Sequence, residues 1–429
     1  MPRFLTPLYV ALLLHSSSLV RAQGVVTLTL DEAEKLAVQK NPRIASATFN
    51  AQAAGTTVAQ VRSAFQPQLT ANLTTAGADR DTAIAAGQLQ TSGLSSRAAT
   101  GLGVSQLLTD FGRTSTLAET ARLRASAQDR NTVTTRAQVL LQVQQAYYAA
   151  LASEAVLKVA QARVDMHSIT VRQVRALAQS NLRSTLDVSF AEVSLSEAEL
   201  ALDQASNAAK ANHALLSAAI GETDVQPFEI ADVQLPGRIV DSTDSLVAEA
   251  LKNRPDLAVS KLNYSAAQRF AEAEKKLRYP AVSLVGVAGV VPIHQKNFSS
   301  QYSAAGLNIS IPFLNGGLFA ARRAEAEFRA RGADKDVQAM EVQIAGAVRV
   351  AWLEADVAWR RLDVTARLVD QASTALRLAK ARYDIGLSGI LELTQAQLSQ
   401  TSAQIAAANA KYDYLTRMAN LNYAIGAFR

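Results

Sequence analysis

The sequence predicts a mixed α and β membrane protein in which very long helical hairpins carry a small, charge-free β wedge. Three observations predict it. The chain is a tandem repeat. Each copy holds a long helix-forming stretch with a seven-residue apolar period. Each copy also holds a pair of uncharged, alternating segments.

The repeat comes first, because it organises the rest. Asn41-Pro42 is echoed by Arg254-Pro255, and Phe65-Gln66-Pro67 by Arg278-Tyr279-Pro280, both at an offset of 213 residues. From Gly112 and Gly317 onward the offset is 205, through Ala146-Tyr147 with Ala351-Trp352 and Ile220-Gly221 with Ile425-Gly426. One deletion of 8 residues between Pro280 and Gly317 accounts for the change.

The predicted plan takes residues 1–22 as a signal peptide and 23–221 as the first repeat. That repeat has a β-hairpin at about 67–109 and a helical hairpin at about 113–220. Residues 222–241, with Pro227, Pro236 and Gly237, are read as a linker. The second repeat is 242–429, with a β-hairpin at about 280–312 and a helical hairpin at about 318–425. The leader rests on Arg3, the apolar run Leu8–Leu14 and the small-residue site Val20-Arg21-Ala22, giving a mature start near Gln23.

From Arg113 to Ile220 there is neither Gly nor Pro, and strong helix formers dominate. Val143, Ala150, Leu157, Val164, Val171 and Ala178 recur every seventh residue, and the second copy keeps the register in Val348, Ala355, Leu362, Val369, Leu376 and Tyr383. Such a period implies lengthwise helix packing. One helix from Arg113 to Gln179 would be roughly 100 Å long. The reversal falls at Ser180–Ser184 in copy one and at Asp384–Gly389 in copy two, where Asn181 stands for Gly386. A second heptad follows in Leu186, Val193 and Leu200, and in Leu391, Leu398 and Ile405. Each copy is therefore a long αα-hairpin.

At the other end, Pro67–Ala78, Ala98–Thr109, Pro280–Ile293 and Asn297–Ile311 lack charge and alternate, as in Leu69, Ala71, Leu73 against Thr70, Asn72, Thr74. Their length suits the ~9–11 residues of a transmembrane β-strand. Four strands cannot close a barrel, which needs about eight. An open edge does not survive in lipid, so the wedge requires oligomerisation.

Composition excludes other classes. No cysteine means no disulfide, thiolate metal site, Cys nucleophile or lipidated N-terminal Cys. The formal charge of +6 is scattered among acids along the helices, so no nucleic-acid footprint is expected. His15, His167, His213 and His294 lie far apart and read as helix-surface or loop residues, with no catalytic, cofactor or metal site. An enzyme is not expected.

The order and spacing of these motifs resemble the outer membrane efflux protein family, the TolC-like channels. The resemblance rests on Leu28–Ala33 with Ala37 and Asn41-Pro42, Phe65-Gln66-Pro67, Ser105–Arg113, Ala146-Tyr147, Ala381–Leu387 and the terminal Ile-Gly of each copy. It implies a homotrimer: a long α-helical coiled-coil barrel, or tunnel, across the periplasm, plus a trimer-shared 12-stranded transmembrane β-barrel with four strands per chain. It implies a passive exit duct in the bacterial outer membrane, serving a tripartite efflux or type I secretion system. The partners implied are a periplasmic adaptor (membrane fusion) protein and an inner-membrane pump of RND, ABC or MFS type.

The resemblance also assigns roles. Glu392, just past the tip, stands where the family commonly places an acid that forms a carboxylate ring at the aperture; one turn on, where a second acid can occur, this chain has Gln395, which leaves the ring single, and Asp187 is the aperture residue of the other hairpin. Tyr383 and Asp187 form a closed-state lock by hydrogen bonding, and Arg183 replaces the basic residue sometimes found at the position of Ser388. Asn181, Leu182, Arg183, Ser184, Gly386, Leu387 and Ser388 are the expected adaptor contacts. The alternative class is a soluble periplasmic coiled-coil adaptor or scaffold protein, which shares the long hairpins but normally lacks the duplication.

Overall fold

The computed structural model describes residues 26–77, 85–86, 89–90, 96–224, 228–293 and 299–428. The expected leader 1–22, His15, Pro227 and His294 lie outside them. The elements run β1 (Val26–Leu28), α1 (Leu30–Lys40), α2 (Pro42–Arg62), β2 (Gln68–Ala76), β3 (Ala85–Ala86), β4 (Leu89–Gln90), β5 (Arg97–Thr109), α3 (Arg113–Gln179) and α4 (Thr185–Ile220). The second half continues with β6 (Phe228–Ile230), α5 (Thr243–Asn253), α6 (Pro255–Lys275), β7 (Ala281–Ile293), β8 (Gln301–Ser310), α7 (Leu318–Asp384) and α8 (Ile390–Ala424).

The two longest helices, α3 and α7, each have 67 residues. Their seven-residue seam faces inward: Val143, Ala150 and Val171 on α3, and Val348, Ala355 and Tyr383 on α7, are buried. Each long helix packs along its own hairpin partner, and α3 also lies against α8, joining the repeats. The second heptad behaves differently from the first. Leu186, Val193 and Leu200 on α4, with Leu391 and Leu398 on α8, are exposed. Toward α3, α4 presents small residues instead, Ala191, Ser194, Ala198, Ala205 and Ala209. Small side chains allow close approach to α3, which leaves the large apolar stripe on the opposite face without a partner.

The shorter helices explain the sequence echoes. Asn41 caps α2: its Oδ1 accepts from the Arg43 amide at 3.0 Å, while its Nδ2 donates to the Ala219 carbonyl at 2.9 Å. Pro42 occupies the first turn, where its missing N–H costs nothing. Gly221, at φ 100°, ends α4 against this cap, and a Cβ there would come within 2.8 Å of the Asn41 Cα. Gly426, at φ 78°, meets the backbone of Arg254 in the same way. Asn41-Pro42 and Ile220-Gly221 are thus two sides of one joint, made twice.

One antiparallel sheet has the order β2-β5-β7-β8. Its register separates two faces. Leu69, Ala71 and Leu73 stand opposite Val104, Leu102 and Thr100, and the same face continues through Ala288 and Gly286 to Leu307 and Ile309. The other face carries Thr70, Asn72 and Thr74, the glycines Gly101, Gly103 and Gly289, and Asn308.

The stretch 222–241 is not a plain linker. β6 lies in it and pairs with β1 in parallel. The Tyr147 hydroxyl holds this clasp, lying 2.7 Å from the Ala231 carbonyl and 3.0 Å from that of Leu28. Asp232 then accepts from Lys411 at 2.5 Å and Tyr412 at 3.3 Å, and the Tyr414 hydroxyl donates to Gly237 at 2.7 Å. The segment is a belt strapped onto α8.

Candidate functional site

The site is built where the long helices reverse. In copy one the Leu182 amide donates to Leu177 O at 2.9 Å while Asn181 sits at φ 56°; in copy two the Leu387 amide donates to Arg382 O at 2.8 Å while Gly386 sits at φ 80°. This is the left-handed helix ending that favours Gly, then Asn. Ser184 caps α4 by accepting from the Leu186 amide at 3.1 Å. Gly389 precedes α8 with no side-chain cap. The turns leave Leu182 and Leu387 exposed as apolar knobs, each beside a small or polar neighbour.

Between the two tips lies a contact centred on Tyr383. Its ring is buried, and Arg183 from the other hairpin covers it, with Cζ 4.4 Å from the ring centroid. Arg183 Nη2 also donates to the Tyr383 carbonyl at 2.8 Å. The Tyr383 hydroxyl has no hydrogen-bond partner within the chain. The expected Tyr383–Asp187 hydrogen bond is therefore not made here. Asp187 is close enough to act by charge: burial raises the Tyr383 pKa first, Arg183 lowers it, and Asp187 and Asp384 raise it further. Ser388 is half-buried, and its hydroxyl finds no partner in the chain.

Glu392 stands at the first turn of α8 and pairs with Arg382 Nε at 3.3 Å. Both line a groove of about 620 Å³ on the second hairpin, with Ile385 and Gln395. Arg382 lies in the Ala381–Leu387 motif immediately before Tyr383, but nothing in the sequence marks it as the partner of Glu392.

Above the tips a polar layer interrupts the seam. Gln397 Nε2 donates to Thr170 Oγ1 at 3.2 Å, between α8 and α3. The Gln397 Oε1 and His167 Nε2 atoms are buried without partners. His167 is only 3% exposed, so it is a seam residue and not a helix-surface one. Burial, then Arg163, push its pKa down to about 4. His213 lies 2.7 Å from Glu154 in a half-buried pair. Among the described residues no three His, Cys, Asp or Glu side chains gather in a metal-holding group. None of the described helices is long and apolar enough to cross a membrane.

The profile of the family described as "Outer membrane efflux protein" matches residues 34–222 and 246–427, most of both repeats. The chain belongs to the outer membrane efflux protein family. It is similar to the outer membrane protein TolC of Vibrio cholerae, 24% identical over 432 residues, covering 98% of this chain and 95% of that one. With TolC of Salmonella enteritidis it shares 24% identity over 195 residues, 43% of this chain and only 40% of that relative. In fold it resembles the CmeC outer membrane channel of Campylobacter jejuni, with a TM-score of 0.80 at 18% identity over 92% of this chain and 85% of that one. As a member of this efflux family it is an outer membrane protein. None of these relatives is described as an enzyme.

Proposed function

We propose that three copies of the chain form a passive exit duct. Four strands from each build a 12-stranded barrel in the outer membrane, and the helical hairpins build a tunnel through the periplasm. On this reading residues 1–22 are the export leader, and an inner-membrane pump delivers cargo through a periplasmic adaptor. The adaptor meets the tips, where Leu182 and Leu387 offer apolar knobs amid polar turn residues. The tunnel narrows there, three Glu392 carboxylates set its charge, and the Arg183–Tyr383 contact holds each pair of hairpins together.

One observation carries the proposal. A four-stranded sheet, uncharged except for Arg97 at the start of β5, with an apolar face and two outer edges, sits at one end of helices roughly 100 Å long. A soluble adaptor or scaffold has no use for such a sheet, and an open edge in lipid demands closure. The test is fractionation of the full-length protein. It is expected in detergent-extracted outer membrane as a heat-modifiable trimer. Leu73→Arg places a charge on the lipid face at a cost of about 2–4 kcal/mol and is expected to reduce assembled trimer. Recovery in the soluble periplasmic fraction, or equal assembly of Leu73→Arg and wild type, would overturn the proposal.

A further inference from the structure

The four strands of the sheet contain a single aromatic residue, Tyr302, the second residue of β8. In a membrane barrel, aromatic side chains gather in girdles on the outer surface, at the two interfaces. Tyr302 is placed otherwise. The register sets it opposite Gly289, Gly289 opposite Gly101, and Gly101 opposite Asn72. All four lie on the polar face, turned away from Leu69, Leu73, Leu307 and Ile309.

The side chain is laid along that row instead of standing away from the sheet. A Cβ on Gly289 would come within 2.5 Å of the Tyr302 hydroxyl oxygen and 2.6 Å of its Cζ, and a Cβ on Gly101 would fall onto the hydroxyl. The phenol therefore crosses β7 and ends over β5, in space that only glycine leaves free. The backbones also run close here, since the same Cβ on Gly101 would meet the Ala288 carbonyl at 2.9 Å. Two glycines thus make a bed of bare backbone with an aromatic ring resting on it. Tyr302 is still 41% exposed, so the side of the ring away from the bed is open. The bed belongs to repeat two alone. The offsets of 213 and 205 residues carry Gly289 and Tyr302 back to Ala76 and Arg97, which pair in the same register and include neither a glycine nor a ring.

We propose that Tyr302 is a cargo-contact residue of the duct: its ring, held down on Gly289 and Gly101, gives the lumen wall an aromatic platform on which planar aromatic molecules stack as they leave. This rests on the reading of the sheet as a barrel whose polar face lines the lumen. A ring standing upright would narrow the passage, whereas one lying on its bed keeps it wide. The surroundings set the class of ligand. The neighbours on that face are small or uncharged, Asn72, Ala99, Gly103 and Ala304, so stacking is the main attraction the wall offers. The four strands hold no acid, and their one charge is Arg97, so nothing in the sheet favours cations.

The test uses the full-length protein in planar bilayers. Pyrene tetrasulfonate, a planar aromatic anion, is added on the sheet side, with sulfate as the control that has no ring. An anion is used because the Glu392 carboxylates at the other end do not attract it. Wild type is expected to show concentration-dependent block by the pyrene probe. Tyr302→Leu should weaken that block about 2–12-fold, the size of one aromatic contact, while Tyr302→Phe stays near wild type and sulfate acts equally on all three. Tyr302→Gln, which also removes the ring, decides the matter if Tyr302→Leu does not insert. Equal block of wild type and the ringless variant, or a loss shared by sulfate, overturns the platform. Position is read separately by labelling, because the chain has no cysteine. In outer membranes, Tyr302→Cys should react with a membrane-impermeant maleimide, and Ser303→Cys, on the apolar face opposite Ala288, should not. No reaction at position 302 overturns the platform and leaves the barrel standing; equal reaction at both positions overturns the barrel reading itself.

Discussion

Arg183 shows how a single side chain can hold two hairpins together and still let them part. Its stacking on Tyr383 is worth about 0.5–2 kcal/mol, and its hydrogen bond to the Tyr383 carbonyl about 0.5–3. Those are sizes a docking partner can supply. Arg183→Ala is therefore expected to raise single-channel conductance while the thermal midpoint stays near wild type. Tyr383→Phe removes a hydroxyl that bonds nothing in the chain and should change conductance little. The reverse ranking would restore the Tyr383–Asp187 hydrogen bond as the lock. If Glu392 lines the proposed aperture, Glu392→Gln removes one carboxylate per chain there and takes away the partner of Arg382, so cation preference in bilayer recordings should fall; unchanged selectivity would move Glu392 away from the constriction. The positions at the tip were legible in the sequence because duplication marks them twice. Their bonding was not, since a hydrogen bond depends on side-chain direction across two hairpins far apart in the chain. Arg183 stands where Ser388 does in copy two, and only the structure shows that it reaches Tyr383.

At the scale of elements, periodic segments were the easiest to read and short ones the hardest. The first heptad gave both long helices, and charge-free alternation gave the four strands of the sheet. The three-residue strands β1 and β6 have no period to detect, and their clasp depends on Tyr147, distant in sequence from both. Heptad spacing also could not say which way the α4 leucines point, because a stripe facing a second copy has the same period as one facing α3. His167 was missed for a related reason. It falls three residues after Val164, on the second buried stripe of α3 with Ala160 and Val174, and a lone histidine there carries no signal of its own. Its burial has a pH consequence. The unfolded histidine titrates near 6.5 and the folded one at about 4, so the unfolded chain takes up the proton first. The stability this residue contributes is full above pH 6.5, falls as pH drops toward 4 and is level below that, at about 1.4 kcal/mol per unit of depression. Denaturation midpoints of His167→Leu, measured against wild type from pH 7 to 4, should lose that part of the slope; parallel curves would mean that His167 is hydrated in the native state.

For the whole molecule, duplication is the controlling fact. It builds one joint, between repeat one and repeat two, and that joint includes the Arg183–Tyr383 contact. The equivalent places on the other side of the chain are Ser388 and Ala178, which offer neither a cation nor a ring. The belt at 228–238 fastens the second hairpin well above its tip, so movement of the tips need not disturb the sheet end. On the proposed reading, these features suit a duct that stays assembled and is adjusted at one end. The most direct measurement is conductance. Purified full-length protein, reconstituted into planar bilayers, should insert as discrete channels with small unitary steps, and Arg183→Ala should give the same insertion with larger ones. Protein that assembles and inserts but conducts no ions, in both wild type and Arg183→Ala, would contradict the account.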